Sequence, residues 1–339
     1  MKRLISILTV IAMSTMLLAG CASEKKEDTS NKETKTEAVD VNVTALKGPT
    51  AMGMVQMMDQ VDQGKIKSEN YKFTISAAVD EVTPKIAKGT TDIAAVPANL
   101  ASVLYNNTKK SVEVLAVNTL GVLYIVENGD TVKSVADLKG KTIFAAGKGA
   151  TPEYALDYIL KGNGLDPEKD VNIQWKSEHA ECVAALAKTK GAIAMLPEPF
   201  VTTATIKNSS FKTVLDLTKE WNAVEKKNGQ NGAMLTGVVI VRKAFLKEHP
   251  EAVADFLKKY KASVDYVNGN VAEAAKLVGA KDIVPEAVAK KAIPNCNIVC
   301  ITGDEMKEKL SGYLTVLKDQ NPKAIGGAMP ADDFYYIGK

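Results

Sequence analysis

The sequence predicts a two-lobed α/β protein, and three observations lead to this fold class. A pattern of strands, turns and helices occurs twice, about one hundred residues apart. In both copies, apolar β-rich runs alternate with helical stretches of about ten residues, which is typical of parallel sheets with right-handed crossovers. A strand-like run follows each copy, which indicates that the chain crosses from one lobe to the other and back.

The chain begins with an apolar run, residues 5–18, that follows Lys2 and Arg3. A transmembrane helix needs about 20 apolar residues, so this shorter run with its basic flank predicts an export signal over residues 1–20. The four residues LAGC, which end at Cys21, match the bacterial lipobox. This match predicts that Cys21 carries a lipid and becomes the mature N-terminus. An ordinary signal peptide with a chance cysteine is the alternative.

Residues 21–40 form the next segment, and after Cys21 it consists almost entirely of polar side chains. Such a segment cannot bury enough apolar surface to offset the entropy that is lost on ordering. It is therefore predicted to be a flexible tether between the lipid and a folded domain. The remaining chain of about 300 residues is long enough for two core-bearing units.

The composition excludes several classes of protein. The chain has 43 basic and 40 acidic residues and no basic stripe with interleaved aromatic residues, so nucleic-acid binding is not expected. It contains no HExxH, no paired zinc-ligand spacing and no Ser-His-Asp signature, so we expect no metal, no cofactor and no enzymatic activity.

The cysteines beyond Cys21 are Cys182, Cys296 and Cys300, which are too few for a disulfide scaffold. The last two flank the residues NIV, where a strand would hold their Cα atoms about 13 Å apart, beyond the ~7 Å reach of a disulfide. A helical turn at this place would allow a disulfide. With the strand, three free thiols are expected, and Cys182 is predicted to fill space in a core.

The internal repeat is clearest at the end of each copy. The residues KGTTDIAAVPANL begin at Lys88 and KTKGAIAMLPEPF begin at Lys188, so a proline follows the short apolar strand in both. Near the start of each copy, the pattern Lys-Gly-x-Thr ends at Thr50 and again at Thr151. Coincidence in a chain rich in alanine and lysine is the alternative explanation. The repeat predicts two similar lobes with the order strand, helix, strand, helix, strand.

Two strand-like runs, residues 112–128 and the residues LTGVVIVRKAFL from Leu235, follow the two copies. Strongly helical segments come after the second run, at residues 250–267, 272–278, 285–292 and 304–317. Crossings near Thr119 and Thr236 would act as hinges and divide the chain into lobe 1, residues 41–120 and 237–339, and lobe 2, residues 121–236.

Four motifs carry a resemblance to a known family: DIAAVPANLASVLYN, SVADLKGKTI with GKGATPEYALDYIL, AMLPEPF, and VVIVRKAFLKEHPEAVADFL. In their order and spacing the chain resembles the substrate-binding proteins of bacterial ABC importers, in the group for aliphatic sulfonates, taurine, nitrate and thiamine-pyrimidine precursors. The resemblance covers nearly all of residues 41–339. It implies a type II periplasmic-binding-protein fold with a ligand cleft between the lobes. It also implies a protein that is lipid-anchored on the extracytoplasmic face of the cell membrane, with a small-molecule ligand, an ABC permease and its ATPase as partners. A monomer is expected, because the polar segment after Cys21 has no apolar stripe with which to dock.

Ligand contacts are expected where strands end and helices begin, because free N–H groups and the helix dipole favour anions there. The candidate residues in lobe 1 are Lys47, Gly48, Thr50 and Asn99. The candidate residues in lobe 2 are Gly147, Lys148, Gly149, Ala150, Thr151, His179 and Glu198. Each type has a plain structural alternative: the glycines form turns, the threonines and the asparagine cap helices, the lysines are solvated, and the glutamate favours a helix start.

The sequence leaves the ligand open among a sulfonate, another small anion and a small heteroaromatic nutrient. Two other functions also stay open. One is an enzyme on the same fold that acts on a small precursor, and the other is a surface lipoprotein without a role in transport.

Overall fold

The computed structural model describes residues 38–338. The predicted signal peptide, Cys21 and most of the predicted tether lie outside the described residues. The first part of the described chain comprises β1 (Asp40–Leu46), α1 (Pro49–Met52), α2 (Val55–Asp62), β2 (Asn70–Ser76), α3 (Val79–Ala87), β3 (Ile93–Pro97), α4 (Ala98–Asn107) and β4 (Val112–Leu120). The middle part comprises β5 (Leu123–Asn128), a 3-10 turn (Val135–Leu138), β6 (Thr142–Ala146), α5 (Thr151–Gly162), β7 (Asn172–Lys176), α6 (His179–Lys188), β8 (Ile193–Pro197), α7 (Phe200–Lys207), β9 (Phe211–Asp216) and α8 (Leu217–Lys227).

The last part of the chain is largely helical. It comprises β10 (Leu235–Arg242), α9 (Lys243–Glu248), α10 (Pro250–Gly269), α11 (Val271–Ala280), α12 (Glu286–Ala292), β11 (Ile298–Ile301) and α13 (Gly303–Gln320), with 3-10 turns at Ile293–Asn295, Pro322–Ile325 and Asp332–Phe334. The four helical segments predicted in this part are therefore confirmed as α10, α11, α12 and α13.

The strands form two sheets with matching topology. The six-stranded sheet of lobe 1 has the order β11-β4-β10-β3-β1-β2, and the five-stranded sheet of lobe 2 has the order β9-β5-β8-β6-β7. In both sheets the first strand of the repeat lies between the second and the third, and its pairing with the second is parallel and in register from Asp40↔Asn70 and from Thr142↔Asn172. The repeat in the sequence is thus a repeat of strand order, and the two-lobed α/β fold is confirmed.

The expectation of parallel sheets holds for the repeat strands β1 to β3 and β6 to β8 but not for the whole of either sheet. β10 is antiparallel to β3 and β4, β5 is antiparallel to β8 and β9, and the edge strand β11 is antiparallel to β4. β10 and β5 each follow a crossing between the lobes. The chain enters each sheet at the edge where the repeat strands end, so its next strand must run away from that edge. The strand-like run from Leu235 also ends earlier than predicted, because α9 begins at Lys243.

Helices cover both faces of each sheet, as the alternating pattern requires. One face of the lobe 1 sheet packs against α2 and α10 through side chains such as Val55 and Phe256, which are fully buried. The other face belongs to an apolar cluster that continues into lobe 2 and includes Leu235 and Tyr313. A third cluster around Cys182 fills the far side of lobe 2. The buried apolar surface of these clusters is the main favourable term in folding.

Helix α13 connects the lobes by hydrogen bonds as well as by apolar contacts. The Tyr313 hydroxyl donates to Thr151 Oγ1 at 2.9 Å, at the start of α5. Near the end of the helix, Gln320 Nε2 donates to the Tyr154 carbonyl at 3.0 Å. The lobes are therefore held together on this side by contacts between α13 and α5.

The three cysteines of the described chain are free thiols. Cys182 and Cys296 are buried and Cys300 is half-buried. Cys300 lies in β11, whereas Cys296 lies just before it at the end of a 3-10 turn. Within residues 38–338, no helix has the length and apolar character that a membrane span requires.

Candidate functional site

The candidate site is a cavity of ≈ 400 Å³ at the edges where the repeat strands of both sheets end. β3 ends at Pro97 and β8 ends at Pro197, and both prolines line the cavity. This position agrees with the general location of ligand sites in α/β sheets, at the carboxyl ends of the strands. The lining residues are Pro97, Asn99, Leu100, Met234 and Thr236 on the lobe 1 side and Val122, Leu123, Ala150, Thr151, Pro152, His179 and Pro197 from lobe 2. Met234 and Thr236 are counted with lobe 1 because β10 joins the lobe 1 sheet from Leu235, two residues before the predicted boundary.

The first turn of α5 supplies Thr151 and Pro152 to the cavity wall. The N-cap is Ala150, whose side chain cannot cap, and Thr151 is the first helical residue. Thr151 therefore does not act as the cap that the sequence allowed. Its hydroxyl instead accepts the hydrogen bond from Tyr313, which orients it from the opposite lobe.

The turn before α5 depends on Gly147. Its φ is +91°, and a Cβ added there would lie 2.7 Å from Pro152 Cγ. A side chain at this position would thus strain the backbone and press on a residue of the cavity wall. Two residues later, the Gly149 N–H donates to Glu153 Oε2 at 2.5 Å. This amide therefore already has a carboxylate of the protein as its acceptor.

His179 is the first residue of α6 and lines the cavity. Its ring lies 5.2 Å from the Phe200 ring at an angle of 45°. Burial lowers the pKa of the imidazole below its usual 6.5, because the charged form loses hydration. Nδ1 is buried and has no hydrogen-bond partner among the described residues. A buried polar atom without a partner is costly to stability.

The first turn of α6 repeats the arrangement at α5. The Ser177 N–H donates to Glu181 Oε2 at 3.1 Å, with the same four-residue separation as between Gly149 and Glu153. Both glutamates are the third helical residue, where a carboxylate reaches back to the free amides and stabilises the positive end of the helix.

Lobe 1 contributes the start of α4 and the start of β10. Pro97 is the N-cap of α4, so Asn99 is the second helical residue and not a cap. Its Nδ2 donates to the Ala324 carbonyl at 3.2 Å. Beside it, Leu100 and Met234 give this wall its apolar character.

The structure thus brings Asn99, Ala150, Thr151 and His179 to one cavity, whereas the other predicted residues do not line it. Lys47 forms an ion pair with Asp282 at 3.1 Å. The Thr50 hydroxyl donates to the Leu46 carbonyl in the turn where Gly48 is the N-cap of α1. Gly147, Lys148 and Gly149 lie in the turn before the wall residue Ala150. For these residues ligand contact stays a prediction.

Glu198 also lies behind the cavity wall. It is 3% exposed and is joined to Pro199 by a cis peptide bond. Its carboxylate accepts from the Thr202 N–H at 3.2 Å and from the Thr202 hydroxyl at 2.9 Å. Burial raises the pKa of Glu198, and hydrogen bonds from Thr202 and Asn295 oppose this rise. In the structure, Glu198 therefore accepts hydrogen bonds at the start of α7. This is the structural alternative to ligand binding that the sequence also allowed.

The sequence reasoning missed the apolar part of the wall. Leu100, Val122, Leu123 and Met234 lie beside the crossings or one turn inside a helix, where apolar residues are typical of a core. The sequence contains two features that could have indicated these residues. Pro97 and Pro197 are equivalent in the repeat, and the crossings were predicted near Thr119 and Thr236, so residues next to either feature were candidates.

The chain matches one protein-family model, over residues 67–284, described as ABC transporter, phosphonate, periplasmic substrate-binding protein. A search of curated proteins found no significant match.

Many solved structures share the fold. An ABC transporter protein from Parabacteroides distasonis is 22% identical, with 87% of this chain and 98% of that chain covered and a TM-score of 0.72. The periplasmic aliphatic sulphonate binding protein SsuA from Escherichia coli is 13% identical, with 86% and 92% covered and a TM-score of 0.67. The alkanesulfonate-binding protein SsuA from Xanthomonas axonopodis pv. citri, bound to MOPS, is 14% identical, with 87% and 96% covered and a TM-score of 0.60.

These likenesses establish the fold, and the family model, which spans more than half of the chain, establishes the family. The resemblance stated from the sequence motifs is therefore confirmed. The chain, with its two matching lobes and a cavity between them, belongs to the phosphonate-type family of periplasmic substrate-binding proteins of ABC transporters.

Proposed function

We propose that this protein is an extracytoplasmic lipoprotein that captures a small molecule between its lobes and delivers it to the permease of an ABC importer. The observation that carries the proposal is the cavity of ≈ 400 Å³, whose wall combines strand ends and helix starts from both lobes. A ligand in this cavity touches lobe 1 and lobe 2 at once. It therefore stabilises the arrangement in which the lobes are together.

The connection between the lobes supports such a movement. Two residues separate β4 from β5, and the return to β10 passes through the residues that follow α8. Short segments of this kind can absorb the change in backbone angles when domains close. The hydrogen bonds from α13 to α5 and from Tyr124 to the Asn295 carbonyl, at 2.8 Å, would form and break with closure.

Attachment of a lipid to Cys21 is part of the proposal and rests on the lipobox match. A substrate-binding protein outside the membrane must stay close to its permease. A lipid on the N-terminal cysteine, followed by a polar tether, would keep it there while the domain moves freely. A monomer is sufficient for this role, because both walls of the cavity come from one chain.

An enzyme on the same fold is less well supported by the geometry. The thiol nearest to the cavity in sequence, Cys182, is fully buried, and burial raises its pKa to about 11. A nucleophilic cysteine requires a lowered pKa and access to substrate. Within residues 38–338 no group of three or more His, Cys, Asp or Glu residues is arranged to hold a metal ion.

The ligand is tested first by releasing it from the protein. The protein is expressed with its native signal and purified without unfolding, so that a bound molecule stays in place. It is then denatured, and the small molecules that it releases are identified by mass spectrometry. The sulfonates and phosphonate in the names of the relatives and the family are the first compounds to compare. At a hundredfold excess over Kd, the identified molecule should increase the free energy of unfolding by ~2.7 kcal/mol. The melting temperature should rise accordingly.

A matched pair of variants locates the site. Ala150→Trp places a large side chain in the cavity wall, and Ala254→Trp adds the same side chain to an exposed position of α10. Ligand binding should be lost in the first variant and retained in the second. Equal binding by both variants would place the ligand elsewhere and contradict the proposal.

A further inference from the structure

The cavity wall is notable for its lack of charge. Among the described residues that line it, none is a lysine, arginine, aspartate or glutamate. The polar side chains are Asn99, Thr151, Thr236 and His179, and the remaining lining residues are apolar or proline together with Ala150. His179 is held in its neutral form, because burial lowers its pKa.

Helix N-termini are an alternative source of positive charge for an anion, but carboxylates lie at the starts of α5, α6 and α7. Among the helices that begin at the cavity wall, only α4 has no acidic residue in its first turn. Glu153 accepts from the Gly149 N–H in the turn before α5, and Glu181 accepts from the Ser177 N–H in the turn before α6. At the start of α7, Glu198 accepts from the Thr202 N–H. A helix N-terminus carries about half a positive charge, so one carboxylate more than neutralises it. These three helix starts therefore oppose the entry of a second anion.

The lysines of the predicted ligand loops, and Lys176 at the end of β7, do not line the cavity. Lys47 pairs with Asp282 at 3.1 Å, and Lys176 Nζ lies 5.3 Å from the centroid of the Phe144 ring. Lys148 is exposed and does not line the cavity. An anion enclosed in this cavity would thus lose its hydration without gaining a cation, which is a costly exchange.

We infer that the ligand is an uncharged, largely apolar small molecule with one or two hydrogen-bonding groups, and that it is neither a phosphonate nor a sulfonate. The inference rests on the proposed function and narrows its ligand class. The side chains of Thr151 and His179, which line the cavity, are the groups that meet the polar part of this molecule. The apolar part contacts the wall of Leu100, Leu123 and Met234.

The first test measures the charge of the released natural ligand by ion exchange and mass spectrometry. We expect it to pass through an anion exchanger and a cation exchanger unretained at pH 7. A released molecule that carries a negative charge overturns the inference but leaves the proposed function standing. Protein that releases no molecule, and that no probe described below stabilises, contradicts the proposed function and the inference with it.

The second test uses two probes of nearly the same shape, benzenesulfonamide and benzenesulfonate, which differ by one charge at pH 7. Calorimetry should give the uncharged probe at least ~10-fold higher affinity, and its Kd should not change between low and high salt because screening acts on charges. Ala150→Trp should abolish this binding and Ala254→Trp should not. Tighter binding of benzenesulfonate overturns the inference.

Discussion

His179 is the residue at which the chemistry of the cavity depends most on pH. Its folded-state pKa lies below the usual 6.5, so the unfolded chain takes up a proton at a higher pH than the folded protein does. The stability that His179 contributes is complete above pH ~6.5 and is lost as the pH falls through its folded-state pKa. We expect the unfolding free energy of the wild type to fall more steeply between pH 7.5 and 5.5 than that of His179→Gln.

Urea unfolding at several pH values measures both curves, and His249→Gln is the matched control. His249 lies against Phe245 in lobe 1 and outside the cavity, so this variant controls for the loss of a histidine away from the site. Parallel curves for the wild type and His179→Gln would mean that the imidazole titrates equally in both states.

Tyr313 and Thr151 form a second pair of residues whose coupling is measurable. The hydrogen bond of 2.9 Å joins a tyrosine that is 1% exposed to a residue of the cavity wall in the other lobe. A double-mutant cycle with Tyr313→Phe and Thr151→Ala should give a coupling of about 0.5–1.5 kcal/mol in the unfolding free energy. Additive effects would show that the two hydroxyl groups do not stabilise each other in solution.

At the scale of elements, the turn from β6 to α5 should be sensitive to substitution at one of its two glycines. A Cβ at Gly147 would lie 2.7 Å from Pro152 Cγ, whereas a Cβ at Gly149 would meet nothing within 4 Å, and both residues have positive φ. Gly149→Ala should cost about 1 kcal/mol, since only the backbone is strained. Gly147→Ala should cost more and should weaken ligand binding, because Pro152 must move.

Thermal unfolding and calorimetry with the identified ligand compare the two variants. The order of effects is the decisive result. A larger loss of stability or affinity for Gly149→Ala would contradict the packing of Gly147 against Pro152.

The elements of the repeat could be predicted because their signals are local. The prolines that end β3 and β8, and the Lys-Gly-x-Thr turns, recur at the same places in both copies. The reversed direction of β10 depends on where the chain re-enters a sheet, and a local pattern does not contain that information. The cavity wall was predicted where it consists of helix starts, such as Thr151, and missed where it consists of apolar residues, such as Met234. In the sequence, an apolar residue that lines a ligand site cannot be distinguished from one that packs in a core.

For the whole molecule, the proposed lipid anchor at Cys21 would determine where the protein works. Cys21→Ser should abolish attachment of lipid, because the thioether requires sulfur. Metabolic labelling with a fatty acid should mark the wild type in the membrane fraction, and the variant should remain an unprocessed precursor or be released. Ser23→Ala, two residues further on in the polar segment, is the control that should still be labelled. A labelled Cys21→Ser variant would end the lipoprotein assignment.

The path of the chain through the two lobes also sets an order of assembly. Lobe 2 is built from one continuous stretch, β5 to β9, whereas the lobe 1 sheet needs β10 and β11 beside strands that precede lobe 2. The stretch begins and ends at neighbouring points, because Leu120 pairs with Leu235 in the lobe 1 sheet. When the chain becomes available from its N-terminus, lobe 2 can therefore complete its sheet first, and lobe 1 must wait for contacts that are distant in sequence and slow to form. The half-finished first lobe is then the species most exposed to aggregation and proteolysis.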